Sequence, residues 1–118
     1  MAGRLTTHVL DTAHGRPAAG VWVDLYRVDG EARRHLVGGA TNADGRLDQP
    51  LVEGAAMAAG VYELVFRLTE YFRAAGAALA DPPFLGDVVI RFAVADPDRH
   101  YHVPLLAAPW GYTTYRGS

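Results

Sequence analysis

The stretch that decides the fold is Asp87–Leu106, DVVIRFAVADPDRHYHVPLL. In Asp87–Ala95, apolar residues occupy every second position, which is the spacing of side chains on one face of a β-strand. The next residues, Asp96–Asp98 with a central proline, favour a turn. From His100 to Leu106 the alternation resumes, with tyrosine, valine and leucine on one face. The stretch therefore predicts two β-strands separated by a short turn.

The rest of the chain repeats this pattern. Four further segments have the alternation or composition of short strands: Leu5–Asp11, Val21–Val28, Arg34–Thr41 and Val61–Leu68. Turn-forming residues recur about every 8–12 residues, which is typical of a β-sandwich or β-barrel. One short helix is predicted near residues 70–79, with Thr69 in position to cap its first turn. We therefore expect an all-β protein of seven or eight strands with a single short helix.

Composition restricts the class of protein further. The 118 residues suit one domain, residues 1–118, and the absence of cysteine excludes a disulfide framework, a thiolate nucleophile and a cysteine zinc site. All eleven basic residues are arginines, scattered along a chain of net charge −2, which argues against a nucleic-acid surface. No apolar run approaches the length of a membrane span. Without the pattern of a secretion signal at its start, the chain is predicted to be cytoplasmic.

Histidines supply the first candidate chemistry. His100 and His102 lie two positions apart on a strand and so share one face. They could form a general base, part of a metal site or only a solvated outer face, and the last is the usual arrangement on a half-buried strand. Adding His8 gives three potential zinc ligands. Arg46 follows the turn Asn42–Gly45, where an arginine is most often a surface charge.

The final seven residues, Tyr112–Ser118, differ from an ordinary chain end. Terminal segments are usually polar and frayed, whereas this one contains two tyrosines and an arginine within seven positions. A strand with two histidines on one face lies just before it. We therefore interpret the C-terminal segment as an ordered wall of a pocket that includes this strand.

Four segments, taken in order, closely resemble the family of 5-hydroxyisourate hydrolases, the transthyretin-like enzymes of purine catabolism: LTTHVLD at 5–11, TNADGRL at 41–47, HYHVPLL at 100–106 and YRGS at 115–118. The resemblance covers essentially the whole chain, and its departures at 81–86 and 107–108 lie outside these segments. It implies a transthyretin-like two-sheet β-sandwich. It also implies a homotetramer with active sites in a channel across the dimer–dimer interface.

The resemblance implies a reaction as well: hydrolysis of 5-hydroxyisourate to 2-oxo-4-hydroxy-4-carboxy-5-ureidoimidazoline, on the route from urate to allantoin. The family's catalytic residues match His8, Arg46, His102 and Ser118, and its substrate-binding residues match Tyr115, Arg116 and Gly117. His100 falls beside the motif and is interpreted as a solvated residue without a role.

The chemistry suits these residue types. A histidine is largely unprotonated at neutral pH and can take a proton from water, while an arginine can stabilise an oxyanion or orient an imide-like ring. Neither a metal nor an organic cofactor is then needed. Spacing does not decide which histidine is the base. The rival hypothesis is a non-catalytic transthyretin-fold protein that binds a small aromatic ligand.

Overall fold

The structure, a computed structural model, describes residues 2–117. Within those residues the elements follow in this order: β1 Arg4–Asp11, β2 Arg16–Pro17, β3 Trp22–Asp29, β4 Ala32–Ala40, β5 Val52–Glu53, a 3-10 helix Gly54–Ala56, β6 Gly60–Phe66, α1 Leu68–Ala74, β7 Val88–Val94, β8 His100–Ala108 and β9 Gly111–Thr114. Two of these strands, β2 and β5, are only two residues long, so seven full-length strands remain, as expected from the alternation.

The strands form two sheets, which confirms the predicted sandwich. One sheet has the order β2-β1-β8-β9, with β5 also pairing with β1, and the other has the order β4-β3-β6-β7. The turn at 96–98 therefore carries the chain from one sheet to the other, because β7 and β8 lie in different sheets. Tyr101 stabilises this crossing, since its hydroxyl accepts hydrogen bonds from the backbone N–H groups of Ala95 and Asp96, both at 3.1 Å.

The core lies between the two sheets and is made mainly by side chains of β1, β3, β6, β7 and β8. Fully buried apolar side chains come from both layers: Leu5, Val9, Val23, Leu25, Leu64, Phe66 and Leu105. Burying an aliphatic or aromatic side chain of this size contributes about 1.5–3 kcal/mol relative to leaving it exposed. Most inward positions are apolar, with Thr7 and Asp11 on β1 as buried exceptions. The polar residues at the outward positions are left on the outer faces, where a site can form.

The helix begins and ends earlier than the predicted span of 70–79. It runs from Leu68 to Ala74, and Arg67 occupies the N-cap position without a side-chain hydrogen bond, so Thr69 does not cap it. Leu68 and Phe72, one turn apart, are both buried, and their burial in the core fixes the start. The end comes just before Gly76, whose φ of 87° is left-handed. Among residues 2–117, no helix is both long and apolar enough to cross a bilayer.

One pairing positions the candidate site. β1 and β8 are parallel neighbours, with Thr6 opposite His102 and Arg4 opposite His100. Parallel neighbours cannot be joined by a tight turn, and here most of the chain separates them. The first and third of the four sequence segments therefore lie side by side in the sheet, with Thr6, His100 and His102 on its outer face.

Candidate active site

A cleft of about 470 Å³ lies over the outer face of the β1–β8 pair. Its lining comes from four parts of the chain: Arg4, Thr6 and Thr7 on β1; Arg46, Leu47, Asp48, Gln49 and Pro50 after the turn; His100 and His102 on β8; and Tyr115 and Gly117 in the tail. Most of these side chains are polar, and two of them are arginines. The cleft therefore suits a small polar ligand better than an apolar one.

The two histidines of β8 are held by one hydroxyl group. Thr6 Oγ1 lies 2.8 Å from His102 Nδ1 and 2.8 Å from His100 Nε2. The prediction that the histidines share a face is confirmed. The interpretation of His100 as a solvated residue is wrong, because His100 is half-buried, hydrogen-bonded and part of the cleft wall. Alternation alone does not distinguish an outer face open to solvent from one covered by a cleft.

The turn Asn42–Gly45 places Arg46. The side-chain oxygen of Asn42 accepts hydrogen bonds from the N–H of Asp44 at 2.9 Å and of Arg46 at 3.2 Å. Gly45 has a φ of 77°, and a side chain there would collide with the carbonyl oxygen of Val9, so only glycine fits. This close approach forms an isolated bridge between Arg46 and His8 on β1. The predicted turn is confirmed, and it directs Arg46 to the cleft.

His8 lies beside the cleft rather than among its lining residues. Its ring centroid is 6.5 Å from that of His102. Nε2 of His8 lies 2.9 Å from the backbone oxygen of Asp44. Because a carbonyl oxygen only accepts hydrogen bonds, Nε2 of His8 carries the proton, and any basic nitrogen of the neutral ring is Nδ1. The turn that presents Arg46 therefore also fixes the tautomer of His8.

The tail closes one side of the cleft, as its composition predicted. The N–H of Gly117 donates to the backbone oxygen of His102 at 2.7 Å, and a side chain at Gly117 would come within 2.6 Å of the His102 ring. Tyr115 lines the cleft. The guanidinium of Arg116 instead lies over the ring of Tyr101, 4.1 Å from its centroid, and does not reach the cleft. Ser118, the remaining predicted residue, lies outside the described residues.

All three histidines near the cleft have pKa values below their ordinary value. Burial lowers the pKa of His102 most, and the positive charge of Arg46 lowers it further. The same two causes lower the pKa of His8, although the Asp44 carbonyl opposes them. Burial and then Arg4 lower the pKa of His100. At neutral pH the three rings are therefore neutral, which is the state a general base requires.

This electrostatic environment gives a testable pH dependence. If a histidine of the cleft takes a proton from water, activity is present above its pKa in the free enzyme and is lost as pH falls through it. Because the pKa is lowered, we expect the acid limb of a kcat/KM profile to have its midpoint below 6.5, the ordinary histidine value. Rates measured across the acid range would check this, and a midpoint above 6.5 would contradict the assigned environment.

The arrangement does not support the zinc alternative for His8, His100 and His102. Neighbouring ring centroids are 6.5 and 6.3 Å apart, and the ring nitrogens that the structure pairs are held by Thr6 and the Asp44 carbonyl. No group of three or more histidine, cysteine or carboxylate residues within 2–117 is placed to hold a metal ion.

Several cleft residues had not been singled out in the sequence. Arg4, Thr6, Asp48 and Gln49 all line the cleft. The position of Thr6 could have been predicted from the sequence, since it lies two positions before His8 and so points to the same face of β1. The position of Arg4 could have been predicted in the same way, since it lies two positions before Thr6 on β1. The positions of Asp48 and Gln49 could not, because they depend on how the loop after Arg46 folds over β1.

Comparisons with known proteins show the family and the fold of the chain. The sequence profile of the HIUase/Transthyretin family matches residues 5–117. The chain is 62% identical over 117 residues to "5-hydroxyisourate hydrolase 2" of Rhizobium meliloti, covering 99% of this chain and 98% of that one. Two solved structures have the same fold. The structure of Klebsiella pneumoniae 5-hydroxyisourate hydrolase has a TM-score of 0.80 and 36% identity, covering 98% of this chain and 94% of that one.

The second solved structure is an (S)-allantoin synthase, with a TM-score of 0.94 and 42% identity. The match covers 99% of this chain but 44% of the synthase chain, so this chain spans less than half of that protein. The strong agreement of the backbone over nearly the whole chain places the two sheets and the helix in the same arrangement in both proteins.

Proposed function

The chain belongs to the HIUase/Transthyretin family, and we propose that it hydrolyses 5-hydroxyisourate to 2-oxo-4-hydroxy-4-carboxy-5-ureidoimidazoline in urate degradation. One observation carries the proposal: Arg46 and His102 line a single cleft, with His8 beside it, in a chain that is 62% identical to a hydroxyisourate hydrolase. The cleft volume of about 470 Å³ accommodates a bicyclic purine-derived ring. We place the reaction in the cytoplasm, which remains a prediction from the sequence.

His102 is the general base in this proposal. Within residues 2–117 its ring makes one hydrogen bond, through Nδ1 to Thr6, so Nε2 is the nitrogen assigned to the reaction. His8 is a weaker candidate, because it lies beside the cleft and is not one of its lining residues. His102 takes a proton as the water oxygen attacks C6 of the N1–C6 amide. It then returns that proton to N1 as the C–N bond breaks, and C6 becomes the carbon of a carboxyl group.

Arg46 stabilises the negative charge that develops on the C6 oxygen. Its side chain lines the cleft, and the Asn42–Gly45 turn fixes its backbone. A guanidinium stays charged at any working pH and presents N–H donors in a planar fork. A donor placed where an oxyanion forms contributes about 10²–10³-fold to turnover. The same charge lowers the pKa of His102, so Arg46 also keeps the base unprotonated.

The tail holds the substrate against these groups. Tyr115 offers a ring and a hydroxyl to the cleft, and Gly117 brings the backbone against His102. Arg116 acts indirectly, since its guanidinium packs on Tyr101 and so anchors the tail to β8. Ser118 follows directly and is assigned a catalytic role on the family resemblance. The reaction consists of water addition, cleavage of the C–N bond and proton transfers, so in this proposal it draws on no metal or organic cofactor.

The rival function is non-catalytic binding of a small aromatic ligand in the same cleft. A carrier site needs shape and apolar contact, whereas this cleft carries two arginines and two histidines. The pKa values of His102 and His8 are lowered by burial and by Arg46, and perturbed pKa values of this kind cluster at catalytic sites. The composition of the cleft therefore favours hydrolysis.

The direct test is an assay on freshly generated 5-hydroxyisourate. The ultraviolet absorbance of the substrate should decay faster with the protein than in buffer alone, and the same rate should be seen after exhaustive chelation. A protein that binds the compound without accelerating its decay would support the carrier instead. A rate that is lost on chelation and restored by zinc would support the metal alternative.

We also propose a homotetramer, in keeping with the family resemblance. Large aromatic side chains lie exposed around β9, with Trp110 68%, Tyr112 45% and Tyr115 59% accessible. Exposed apolar patches of this kind mark partner surfaces. In the part of the chain that the structure describes, β7 and β9 are the last strands of their sheets, so each offers an edge for pairing with a second copy.

Light scattering should give about four times the 12.7 kDa mass of one chain. Tyr112→Arg should reduce this mass and the activity together, because a buried unpaired charge is costly in an interface. Leu36→Arg is the matched control, since Leu36 is also exposed but lies on β4, at the far edge of the other sheet. A fully active monomer would contradict the tetramer.

A further inference from the structure

The hydroxyl group of Thr6 has a position that hydrolysis alone does not explain. It lies between two imidazoles, 2.8 Å from His102 Nδ1 and 2.8 Å from His100 Nε2. A threonine hydroxyl has one proton to donate and two lone pairs to accept with. It can therefore donate to only one of the two rings. Whichever ring receives that proton must present an unprotonated nitrogen, so the hydroxyl couples the tautomers of the two histidines.

We propose that Thr6 and His100 are positioning residues that hold His102 in the tautomer with its proton on Nδ1, which leaves Nε2 as an unprotonated base. Thr6 donates its proton to Nε2 of His100 and accepts a hydrogen bond from Nδ1–H of His102. The inference rests on the proposed function for its catalytic consequence, but the tautomers exist in the free protein.

The direction of this chain of hydrogen bonds follows from the role proposed for His102, and the neutral state of His100 permits it. Burial and the charge of Arg4 lower the pKa of His100, so its ring stays neutral and its Nε2 can accept. The opposite direction would put the His102 proton on Nε2, and His102 could not then take a proton from water. The Thr6 side chain is itself half-buried on β1, and the parallel register holds it opposite His102. Donation from Thr6 to His100 fits the two 2.8 Å contacts and leaves Nε2 of His102 unprotonated.

The arrangement also stabilises the protonated state that forms during the reaction. When Nε2 of His102 takes the proton from water, Nδ1–H continues to donate to Thr6, and the bond becomes charge-assisted. No atom of Thr6 or His100 has to move or exchange a proton. The hydroxyl therefore acts in both states of the base, first by selecting the tautomer and then by supporting the imidazolium.

The tautomer is measured directly by the nitrogen chemical shifts of the His102 ring in the free, uniformly labelled protein near neutral pH. In the wild type we expect Nδ1 to be protonated and Nε2 to be unprotonated. Thr6→Val keeps the branched shape but removes the hydroxyl, and should move the His102 population toward the Nε2–H form. Thr6→Ser should retain the wild-type pattern. Thr12→Val is the matched control, because Thr12 also makes a side-chain hydrogen bond, to the Ala107 carbonyl, away from the cleft.

Kinetics give the second readout. Thr6→Val should lower kcat by about 10- to 100-fold, the rate equivalent of a lost hydrogen bond to a charged ring, with KM changed by at most about twofold. Thr6→Ser should recover most of the rate. His100→Ala should lower kcat by a smaller factor. The double variant that combines Thr6→Val with His100→Ala should be no slower than Thr6→Val alone, because the two residues act through one hydrogen-bond chain.

Two results would overturn the inference: an unchanged His102 tautomer in Thr6→Val, or a Thr6→Val kcat equal to that of the wild type. The proposed function can fail separately. If the wild type does not hydrolyse 5-hydroxyisourate, the reaction assigned above is wrong, whereas the nitrogen shifts still decide whether Thr6 sets the tautomer.

Discussion

His102→Ala should lower kcat on freshly prepared 5-hydroxyisourate by about 10²–10⁴-fold, the usual contribution of a general base. The ring lines the cleft, its pKa is lowered by burial and by Arg46, and it is bonded to Thr6 through Nδ1. Alanine removes both the base and its hydrogen bond. The fold should persist, because the side chain is only half-buried on an outer face. Steady-state rates, with circular dichroism to check folding, measure the effect.

His35→Ala is the control for this prediction. His35 also makes a hydrogen bond through Nε2, to Asp24 at 2.8 Å, but it lies on β4 in the other sheet. Its removal should leave kcat within about twofold of the wild type. His8→Ala should be impaired as well, since His8 packs beside Arg46. If His8→Ala were inactive and His102→Ala retained its rate, the base would be His8 and its Nδ1 would be the reacting nitrogen.

Arg46→Lys should lower kcat by about 10²–10³-fold, as expected when a donor to an oxyanion is lost. Lysine keeps the positive charge but not the planar fork. The turn should survive, because Asn42 binds the backbone N–H of residue 46 and not its side chain. Arg73→Lys, an exposed arginine at the end of α1, is the matched control and should have the wild-type rate.

The pH profile separates the two roles of Arg46. In Arg46→Lys the nearby charge remains, so the acid limb should stay where the wild type has it. In Arg46→Gln the charge is gone, so the pKa of His102 should rise and the acid limb should move to higher pH. If Arg46→Lys were as active as the wild type, charge alone would suffice and the fork geometry would not matter.

Alternation in the sequence predicted the sandwich well, because burial between two sheets forces a period of two. It did not predict that β7 and β8 belong to different sheets, since a turn such as 96–98 can join strands within one sheet or between two. The helix bounds were misplaced for a related reason. Capping preference pointed to Thr69, whereas the burial of Leu68 and Phe72 in the core determined the start.

For the site, residue types and the family resemblance identified His8, Arg46 and His102, which the structure brings together. His100 was missed as a cleft residue, because its contact is with Thr6, a residue 94 positions earlier in the chain. No local pattern reports a contact of that kind. Arg116 is the converse case, a residue predicted at the site that does not reach the cleft. The family resemblance suggests a substrate contact, whereas its guanidinium packs on Tyr101.

The parallel pairing of β1 with β8 also determines when the protein becomes functional during its synthesis. Thr6 and His102 are separated by 96 residues, so the base is assembled only when both ends of the chain are present. Closing so long a loop is entropically unfavourable, and domains rich in such distant pairings fold over about milliseconds to seconds rather than microseconds. While the ribosome still holds the last strands, β1 can pair with β2 and β5, but the edge that pairs with β8 has no partner. A nascent chain can therefore begin to collapse, but it cannot hydrolyse anything until β8 has been released.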